Sequence, residues 1–150
     1  MTDLTWLEKA KTEIQNSSMS SSVYIGCDSI RFKKRGEWYA KYSTVIVLHK
    51  DSRHGCTLHH NTEVVRDYGN LRQRLMAEVG YAISAALEIV DCIGDRHLEI
   101  HLDINPNPMH KSNVAIKEAL GYVKGTLGID AKVKPDGWAA THGADHVVRH

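Results

Sequence analysis

The sequence contains few of the features that mark secreted or membrane proteins. Its three cysteines are an odd number and lack CxxC spacing, so they are expected to be reduced thiols rather than a disulfide framework. No apolar run is long enough to cross a membrane. The N-terminal stretch "MTDLTWLEKAKTEIQNSS" contains acidic residues and no apolar signal segment. We therefore expect a cytoplasmic protein without membrane association.

The charge balance argues against a protein that depends on non-specific binding to nucleic acid. Nineteen Lys and Arg stand against eighteen Asp and Glu, which gives a formal net charge of +1. A protein that depends on non-specific binding to nucleic acid is usually much more basic, although a local basic patch is compatible with this balance. The length of 150 residues, with 42% hydrophobic and 25% charged residues, suits one globular domain.

The stretch "HGCTLHH" brings possible zinc ligands close together in the sequence: His54, Cys56, His59 and His60. Strand spacing divides these side chains between two faces, and no second CxxC or HxxxH completes a site. We therefore interpret His59 and His60 as ordinary strand residues.

The first half of the chain predicts one helix and three strands. Residues 3–16 form an amphipathic pattern with Leu7, Ala10 and Ile14 on one side, and a Ser-rich linker follows. The alternating segments that come next predict strands at 23–30, 37–50 and 56–65, with a turn at "RFKKRG". Short connections between three successive strands indicate an antiparallel meander.

The second half predicts helices alternating with strands. Leu71, Leu75, Val79, Ile83 and Leu87 recur at intervals of four in a long amphipathic helix. The segments that follow predict a strand at 96–105, a helix at 111–128, a short strand at 130–135 and a last helix at 136–150. The expected fold is a mixed α/β protein with a five-stranded sheet, in the order β-β-β-α-β-α-β-α after an extra N-terminal helix. We divide it into a helix and linker, 1–21, and a domain, 22–150.

Three acidic residues are predicted to converge on one part of this sheet. Asp28 lies in the first strand and Asp103 ends the fourth, and these two strands are natural neighbours at the sheet centre. At about 100° per residue, the apolar arc of the long helix centres near Val79 and Val90, and Glu78 lies at the edge of that arc. Glu78 is therefore expected to face the sheet surface.

The last predicted helix offers a fourth acid. Asp145 borders its apolar stripe, and His142 lies about one turn earlier. Asp136, just before this helix, is the competing choice, although an Asp at that place is more often a helix cap.

Four clustered carboxylates need neutralisation. Two unit charges 4 Å apart repel by about 1 kcal/mol in water and about 4 kcal/mol at an effective dielectric of 20. Oxygen donors without soft ligands point to Mg²⁺ or Mn²⁺, and two such ions about 4 Å apart form the usual clamp for phosphodiester hydrolysis. Any one of these acids, taken alone, is more often a surface or capping residue.

Four stretches resemble the YkuK-like family of bacterial and phage proteins, which has the ribonuclease H-like superfold. They are "IGCDS", "HLDINPNPMHKSN", "EALGYVKG" and "KPDGWAA…AD", and the similarity covers about residues 22 to 148. "THGAD" also resembles the last-helix region of RuvC-like nucleases. The resemblance implies this fold and a nuclease, with the metal ligands of the superfold falling on Asp28, Glu78, Asp103 and Asp145. The short stretch between Asp103 and Asp145 leaves little room for a basic substrate-binding insertion.

Two further regions carry candidate nucleic-acid contacts. The hairpin "RFKKRGEWY" interleaves cations with aromatic rings, which suits a surface that follows a nucleic-acid strand; a solvated hairpin tip is the alternative. The helix after Asp103 begins at a site suited to phosphate, where ordinary capping is again the alternative. The candidates are Lys33, Lys34, Arg35, Trp38, Lys111 and Asn113, and His142 is a candidate proton shuttle.

The sequence therefore predicts a nuclease that uses Mg²⁺ or Mn²⁺ to cut RNA, an RNA/DNA hybrid or single-stranded DNA by a two-metal mechanism. The alternative is a non-catalytic module on the same fold that binds nucleic acid or protein. The N-terminal helix offers an apolar side to a partner chain, so a homo-oligomer is compatible with the sequence.

Overall fold

The computed structural model describes residues 5–52, 55–103 and 116–133. These ranges contain three α-helices, four β-strands and a short 3-10 turn at Lys50–Ser52. In chain order the elements are α1 (Thr5–Gln15), β1 (Ser22–Lys34), β2 (Glu37–His49), β3 (Cys56–Arg66), α2 (Leu71–Ile93), β4 (His97–His101) and α3 (Ile116–Leu127). This order agrees with the predicted one as far as α3, and the predicted last helix lies outside the described residues.

The hairpin of β1 and β2 is longer than predicted. Residues 31–34 continue β1, and the turn consists of Arg35 and Gly36, with φ angles of 52° and 79°. Positive φ at both central residues is characteristic of a type I′ turn, whose twist matches that of the flanking strands. The prediction of a turn over residues 31–36 was wrong, because the backbone reverses within two residues. Lys33 and Lys34 therefore lie on a strand.

The sheet has the order β3-β2-β1-β4. β1 pairs antiparallel with β2 and parallel with β4, and β2 pairs antiparallel with β3. The predicted meander and the predicted proximity of the first and fourth strands are thus both confirmed. Because β1 lies between β2 and β4, its residues have β2 on one side and β4 on the other.

The predicted fifth strand was wrong for the part of the chain that the structure describes. Lys132 forms one isolated parallel bridge with His101. The backbone N–H of Leu102 donates to the Lys132 carbonyl, and the N–H of Lys132 donates to the Ile100 carbonyl, both at 2.8 Å. A ladder requires successive bridges, and residues 130–133 supply only this one.

The three helices lie on one face of the sheet, which we call the helix face. It is formed on β1 by Val23, Ile25 and Cys27, which are buried in the same apolar cluster as residues of α1, α2 and α3. Side chains alternate along a strand, so Asp28, Ile30 and Phe32 belong to the opposite face, which we call the far face. Within the described ranges, no helix combines the length and hydrophobicity needed to cross a membrane.

The buried side of α2 differs in part from the prediction. Leu75, Val79 and Ile83 are buried as expected, but Leu87 and Val90 are 50% and 44% exposed. A repeat of four residues advances by about 400°, so each step drifts by about 40° around the helix. At Leu87 the four-residue repeat therefore points away from the sheet. The buried positions in this part of α2 are Ala85, Ala86 and Ile89 instead.

Helix α1 belongs to the same core as the sheet. Leu7, Ala10 and Ile14 are buried, as predicted, and they pack with residues of the chain's own α2. The apolar side that the sequence offered to a partner chain is therefore covered within this chain. The division of the chain at residue 21 remains a prediction.

Candidate active site

Asp28 lies on β1, and Asp103 lies just beyond the end of the neighbouring parallel strand β4. The register pairs Gly26 with His101, and two residues further along each chain segment are Asp28 and Asp103. Both residues are partly buried. The topology thus brings two carboxylates that are distant in the sequence to one end of the sheet.

Glu78 enters this region from α2. The helix begins at Leu71, where the Asn70 side chain accepts a hydrogen bond from the backbone N–H of Gln73 at 3.0 Å. Two turns later Glu78 is only 8% exposed, and its carboxylate accepts a hydrogen bond from the Ser29 hydroxyl at 3.3 Å. The sequence placed Glu78 at the edge of the apolar arc, whereas the structure places it within the buried side of α2.

Electrostatics links Glu78 with both aspartates. Burial raises the pKa of the Glu78 carboxyl well above its ordinary range, and the negative charges of Asp28 and Asp103 raise this pKa further. The hydrogen bond from Ser29 and the positive charge of Arg74 oppose this rise. The three carboxylates therefore interact electrostatically, and Glu78 is the most buried of them.

The same negative field extends to neighbouring groups of the helix face. The pKa of the Cys27 thiol is raised by burial and then by the charge of Glu78. The pKa of Tyr42 is raised to about 12, by burial first and then by Glu78. Both groups are protonated at neutral pH, so neither offsets the charge of the carboxylates.

Ser43 adds an unusual polar atom beside Asp28. These residues are directly paired across β1 and β2, so their side chains lie on the same face of the sheet. The Ser43 hydroxyl is fully buried and has no hydrogen-bond partner among the residues that the structure describes. A buried hydroxyl in this state costs about 1–3 kcal/mol.

The donor chemistry of this region fits a divalent cation. Asp28, Glu78 and Asp103 offer hard carboxylate oxygens of the kind that Mg²⁺ and Mn²⁺ prefer. The pKa of Glu78 is raised by burial first and then by the charges of Asp28 and Asp103, and a cation would neutralise these charges. Within residues 5–52, 55–103 and 116–133, no group of three His, Cys, Asp or Glu side chains is arranged to hold a metal ion by itself. The assignment of these residues as ligands remains a prediction.

The remaining candidates that the sequence suggested lie outside the described residues. They are Asp145, the alternative Asp136, the candidate shuttle His142, and the candidate phosphate contacts Lys111 and Asn113. Their roles also remain predictions.

The candidate nucleic-acid residues of the hairpin are exposed but divided between two faces. Lys33 pairs with Trp38 across the hairpin, and Lys34 follows on the far face. On the helix face the Arg31 guanidinium lies 4.4 Å from the centre of the Trp38 ring and forms an ion pair with Asp67. One face of Trp38 is therefore already stacked on a cation.

The far face carries a better-formed aromatic surface near the hairpin turn. The rings of Phe32 and Tyr39 are stacked, with centroids 5.7 Å apart and planes 21° apart. With Lys34, Arg35 and Val64 they line a cavity of about 410 Å³, which we call the aromatic–basic cleft. Two aromatic rings and two cations in one cleft can bind a base and its phosphate.

This cleft and Asp28 lie on the same face of β1. Phe32 follows Asp28 by four residues, which corresponds to about 13 Å along a strand. Sequence reasoning included Tyr39 among the rings of the hairpin but did not single out Phe32 or Ser43. Asp28, Ile30 and Phe32 alternate along one face of β1 and could have indicated the cleft. The sequence prediction ended this strand at residue 30 and therefore did not include Phe32.

Comparisons with known proteins agree with this topology. The sequence model of the family described as Ribonuclease H-like matches residues 6–149. The chain is 29% identical over 152 residues to a protein of Bacillus subtilis (strain 168) named "Uncharacterized protein YkuK", and the similarity covers 89% of this chain and 83% of that protein. No solved structure matches significantly. Since the family match spans nearly all of the chain, the protein belongs to the ribonuclease H-like family, within which it is similar to YkuK.

Proposed function

We propose that the protein is a metal-dependent nuclease that hydrolyses phosphodiester bonds. The observation that carries this proposal is the buried Glu78 carboxylate, whose pKa is raised by burial and by the charges of Asp28 and Asp103. An acidic cluster of this kind destabilises the fold unless a cation or a proton neutralises it. Membership of the ribonuclease H-like family supports a role in binding or cutting nucleic acid.

Asp28, Glu78 and Asp103 would hold Mg²⁺ or Mn²⁺, and we propose Asp145 as the fourth ligand. When bound, such a cation supplies an activated water molecule and neutralises charge on the phosphoryl oxygens. The hydrogen bond from Ser29 orients the Glu78 carboxylate. His142 is the proposed proton shuttle to the leaving oxygen.

The aromatic–basic cleft supports a substrate with unpaired bases. Phe32 and Tyr39 can stack on a base only where that base is exposed, and Lys34 and Arg35 lie where they can neutralise neighbouring phosphates. Single-stranded RNA or DNA meets this requirement directly. An RNA/DNA hybrid meets it only at an end or an unpaired overhang.

One observation favours the alternative, a non-catalytic module that binds nucleic acid. In the part of the chain that the structure describes, no three potential ligands form a group that encloses a metal ion. On this alternative the aromatic–basic cleft binds the strand, and the acidic cluster has no chemical role.

A cleavage assay distinguishes the two functions. The purified protein is incubated with labelled single-stranded RNA, single-stranded DNA, RNA/DNA hybrid and double-stranded DNA, in Mg²⁺, Mn²⁺ or EDTA. We expect cleavage of a single-stranded substrate with metal, and loss of at least 10²-fold in rate for Asp28→Asn and for Asp103→Asn. The matched control is Asp91→Asn/Asp95→Asn, since both residues are exposed aspartates elsewhere on the chain.

Undiminished cleavage by Asp28→Asn would assign the activity to another site or to a contaminant. Metal-dependent binding without any cleavage would favour the non-catalytic module.

A further inference from the structure

Among the residues that the structure describes, β3 is a long strand at the edge of the sheet. β3 is the terminal strand in the order β3-β2-β1-β4, and all of its residues from Cys56 to Arg66 pair with β2 on its inner side. Within residues 5–52, 55–103 and 116–133, no other strand pairs with its outer side. An edge of this kind presents backbone N–H and C=O groups that can bind a further strand.

β3 has few of the devices that keep sheet edges apart, and its only charged residues besides the histidines are Glu63 and Arg66. Its sequence, CTLHHNTEVVR, contains no proline and no lysine, and its register with β2 is continuous and without a bulge. At 11 residues it is longer than the usual five or six. Leu58 is 41% exposed and Val64 is 54% exposed, which is unusual for large apolar side chains on the edge of a sheet.

Helix α1 covers one face of β3 but does not occupy its edge. The Glu13 carboxylate accepts a hydrogen bond from Thr57 and lies 3.0 Å from the Nε2 atom of His59. Both of these β3 residues pair with helix-face residues of β2. The contact with α1 thus holds one face of β3 against the core, and no described strand pairs with its outer backbone.

The sequence of β3 is complementary to itself when read in the opposite direction about Asn61. With Asn61 opposite Asn61 of a second copy, Leu58 meets Val64, and His59 meets Glu63. Leu58 and Val64 then cover each other twice across the axis, and the histidine lies opposite a carboxylate, while Val65 lies opposite Thr57. A shift by one residue would place apolar Leu58 opposite Glu63 and lose this match.

We propose that two copies of this chain pair through β3, antiparallel and around a two-fold axis at Asn61. The result is one continuous sheet with four strands from each copy. Since the axis is perpendicular to the sheet, the far faces of the two copies lie on the same side. This inference rests on the β3 edge and is independent of the proposed nuclease function.

Charged residues at positions 58 and 64, which lie opposite each other in the proposed dimer, test this interface. Leu58→Lys/Val64→Lys places lysine opposite lysine twice across the two-fold axis, whereas Leu58→Lys/Val64→Glu places lysine opposite glutamate twice. By sedimentation equilibrium we expect a dimer for the wild type, a monomer for the first variant and a dimer for the second. Leu87→Lys/Val90→Lys, on the exposed side of α2, is the matched control and should remain dimeric.

A wild-type monomer at all accessible concentrations would overturn the proposal. A dimer that persists in Leu58→Lys/Val64→Lys would also overturn it, because the interface must then lie elsewhere. Far-ultraviolet circular dichroism verifies that each variant is folded.

A crosslink tests the register. In a Cys56→Ser background, Asn61→Cys places two thiols opposite each other, with Cα atoms about 4.5–5.5 Å apart, which suits a disulfide. Oxidised glutathione should therefore produce a covalent dimer. Thr62→Cys is the control: its two copies are displaced by two residues, about 8 Å apart, and too distant to bond. Efficient crosslinking of Thr62→Cys but not of Asn61→Cys would contradict the register at Asn61.

Discussion

The Ser29 hydroxyl donates a hydrogen bond to the Glu78 carboxylate from 3.3 Å and so joins β1 to α2 one residue beyond Asp28. Ser29 and Asp28 are adjacent in a strand, so they project to opposite faces of the sheet. Asp28 is nevertheless close enough for its charge to raise the pKa of the Glu78 carboxyl at this end of β1. Stability measurements can detect the cost of ionising Glu78 in this arrangement.

In EDTA, Glu78→Gln should be more stable than the wild type at neutral pH. The raised pKa of Glu78 means that the folded protein binds this proton more tightly than the unfolded chain does. The wild type therefore loses stability as pH rises from the ordinary carboxyl range through the folded pKa, and glutamine removes this loss. The gain should be absent below about pH 4 and should grow with pH. Each 1 kcal/mol corresponds to roughly 3 °C in Tm for a domain of this size.

The matched control for this measurement is Glu88→Gln on the exposed side of the same helix, where the carboxylate lies 3.7 Å from Lys11. Its effect should be small at every pH. A Tm gain for Glu78→Gln that does not depend on pH would contradict the assignment to ionisation.

Millimolar Mn²⁺ should raise the Tm of the wild type. A ligand that binds only the folded state stabilises it by about 2.7 kcal/mol when present at 100 times its Kd. Asp28→Asn/Asp103→Asn should lose this rise and should melt higher than the wild type in EDTA, because the repulsion on Glu78 is reduced. Asp91→Asn/Asp95→Asn carries the same charge change and should keep the rise. An equal response to Mn²⁺ in both double variants would exclude Asp28 and Asp103 as ligands.

The cations and the aromatic rings at the hairpin should contribute differently to nucleic-acid binding. Replacing Lys33, Lys34 and Arg35 by Ala should weaken binding to a fluorescent single strand and reduce the slope of log K against log salt by about 0.7 per lost phosphate contact. Phe32→Ala/Tyr39→Ala should cost about 1–3 kcal/mol per unstacked base with little change in slope. Both effects can be measured by fluorescence anisotropy in a salt series.

The control for the charge change is Lys9→Ala/Lys117→Ala/Lys124→Ala, which removes three exposed cations from the helices. An equal loss of slope in this control would indicate non-specific attraction rather than a surface at the hairpin.

Arg96 should be essential for the attachment of α1. Its buried guanidinium donates to the Ser17 carbonyl at 2.6 Å, to the Ser17 hydroxyl at 2.9 Å and to the Cys92 carbonyl at 3.0 Å. Arg96→Met leaves these acceptors without a donor, so the free energy of unfolding should fall by on the order of 3 kcal/mol in urea titrations. Arg96→Lys should recover only part of it, because lysine lacks the planar fork.

Arg72→Met is the comparison for Arg96→Met. Arg72 pairs with Glu118 on the surface, and we expect a change within about 1 kcal/mol. Equal losses in the free energy of unfolding for Arg96→Met and Arg72→Met would show that the burial of Arg96 does not determine its contribution to stability.

The sequence predicted those parts of the site that depend on topology. A meander followed by a helical crossover places the first and fourth strands side by side, which is sufficient to bring Asp28 near Asp103. The position of Glu78 needed only the helical period, although its degree of burial depended on how α2 packs. The drift that exposes Leu87 and Val90 became evident only from the packing.

The far-face cleft could not be predicted, for a local reason. The turn at Arg35 and Gly36 has no Asn-Gly or Asp-Gly signal, and the basic run before it resembles a loop. Ser43 was missed because a serine within an apolar strand gives no indication of whether its hydroxyl finds a partner. Such information depends on cross-strand pairing.

The parallel pairing of β1 with β4 also has a kinetic consequence. β1 and β2 are joined by a two-residue turn, so their hairpin can form early. Val23 pairs with Leu98, which is separated from it in the sequence by β2, β3 and α2. Contacts between distant residues carry a loop-closure cost and form late in folding. Repulsion between Asp28 and Asp103 is therefore expected to arise after the transition state. A cation that relieves this repulsion should then slow unfolding while leaving the rate of folding nearly unchanged.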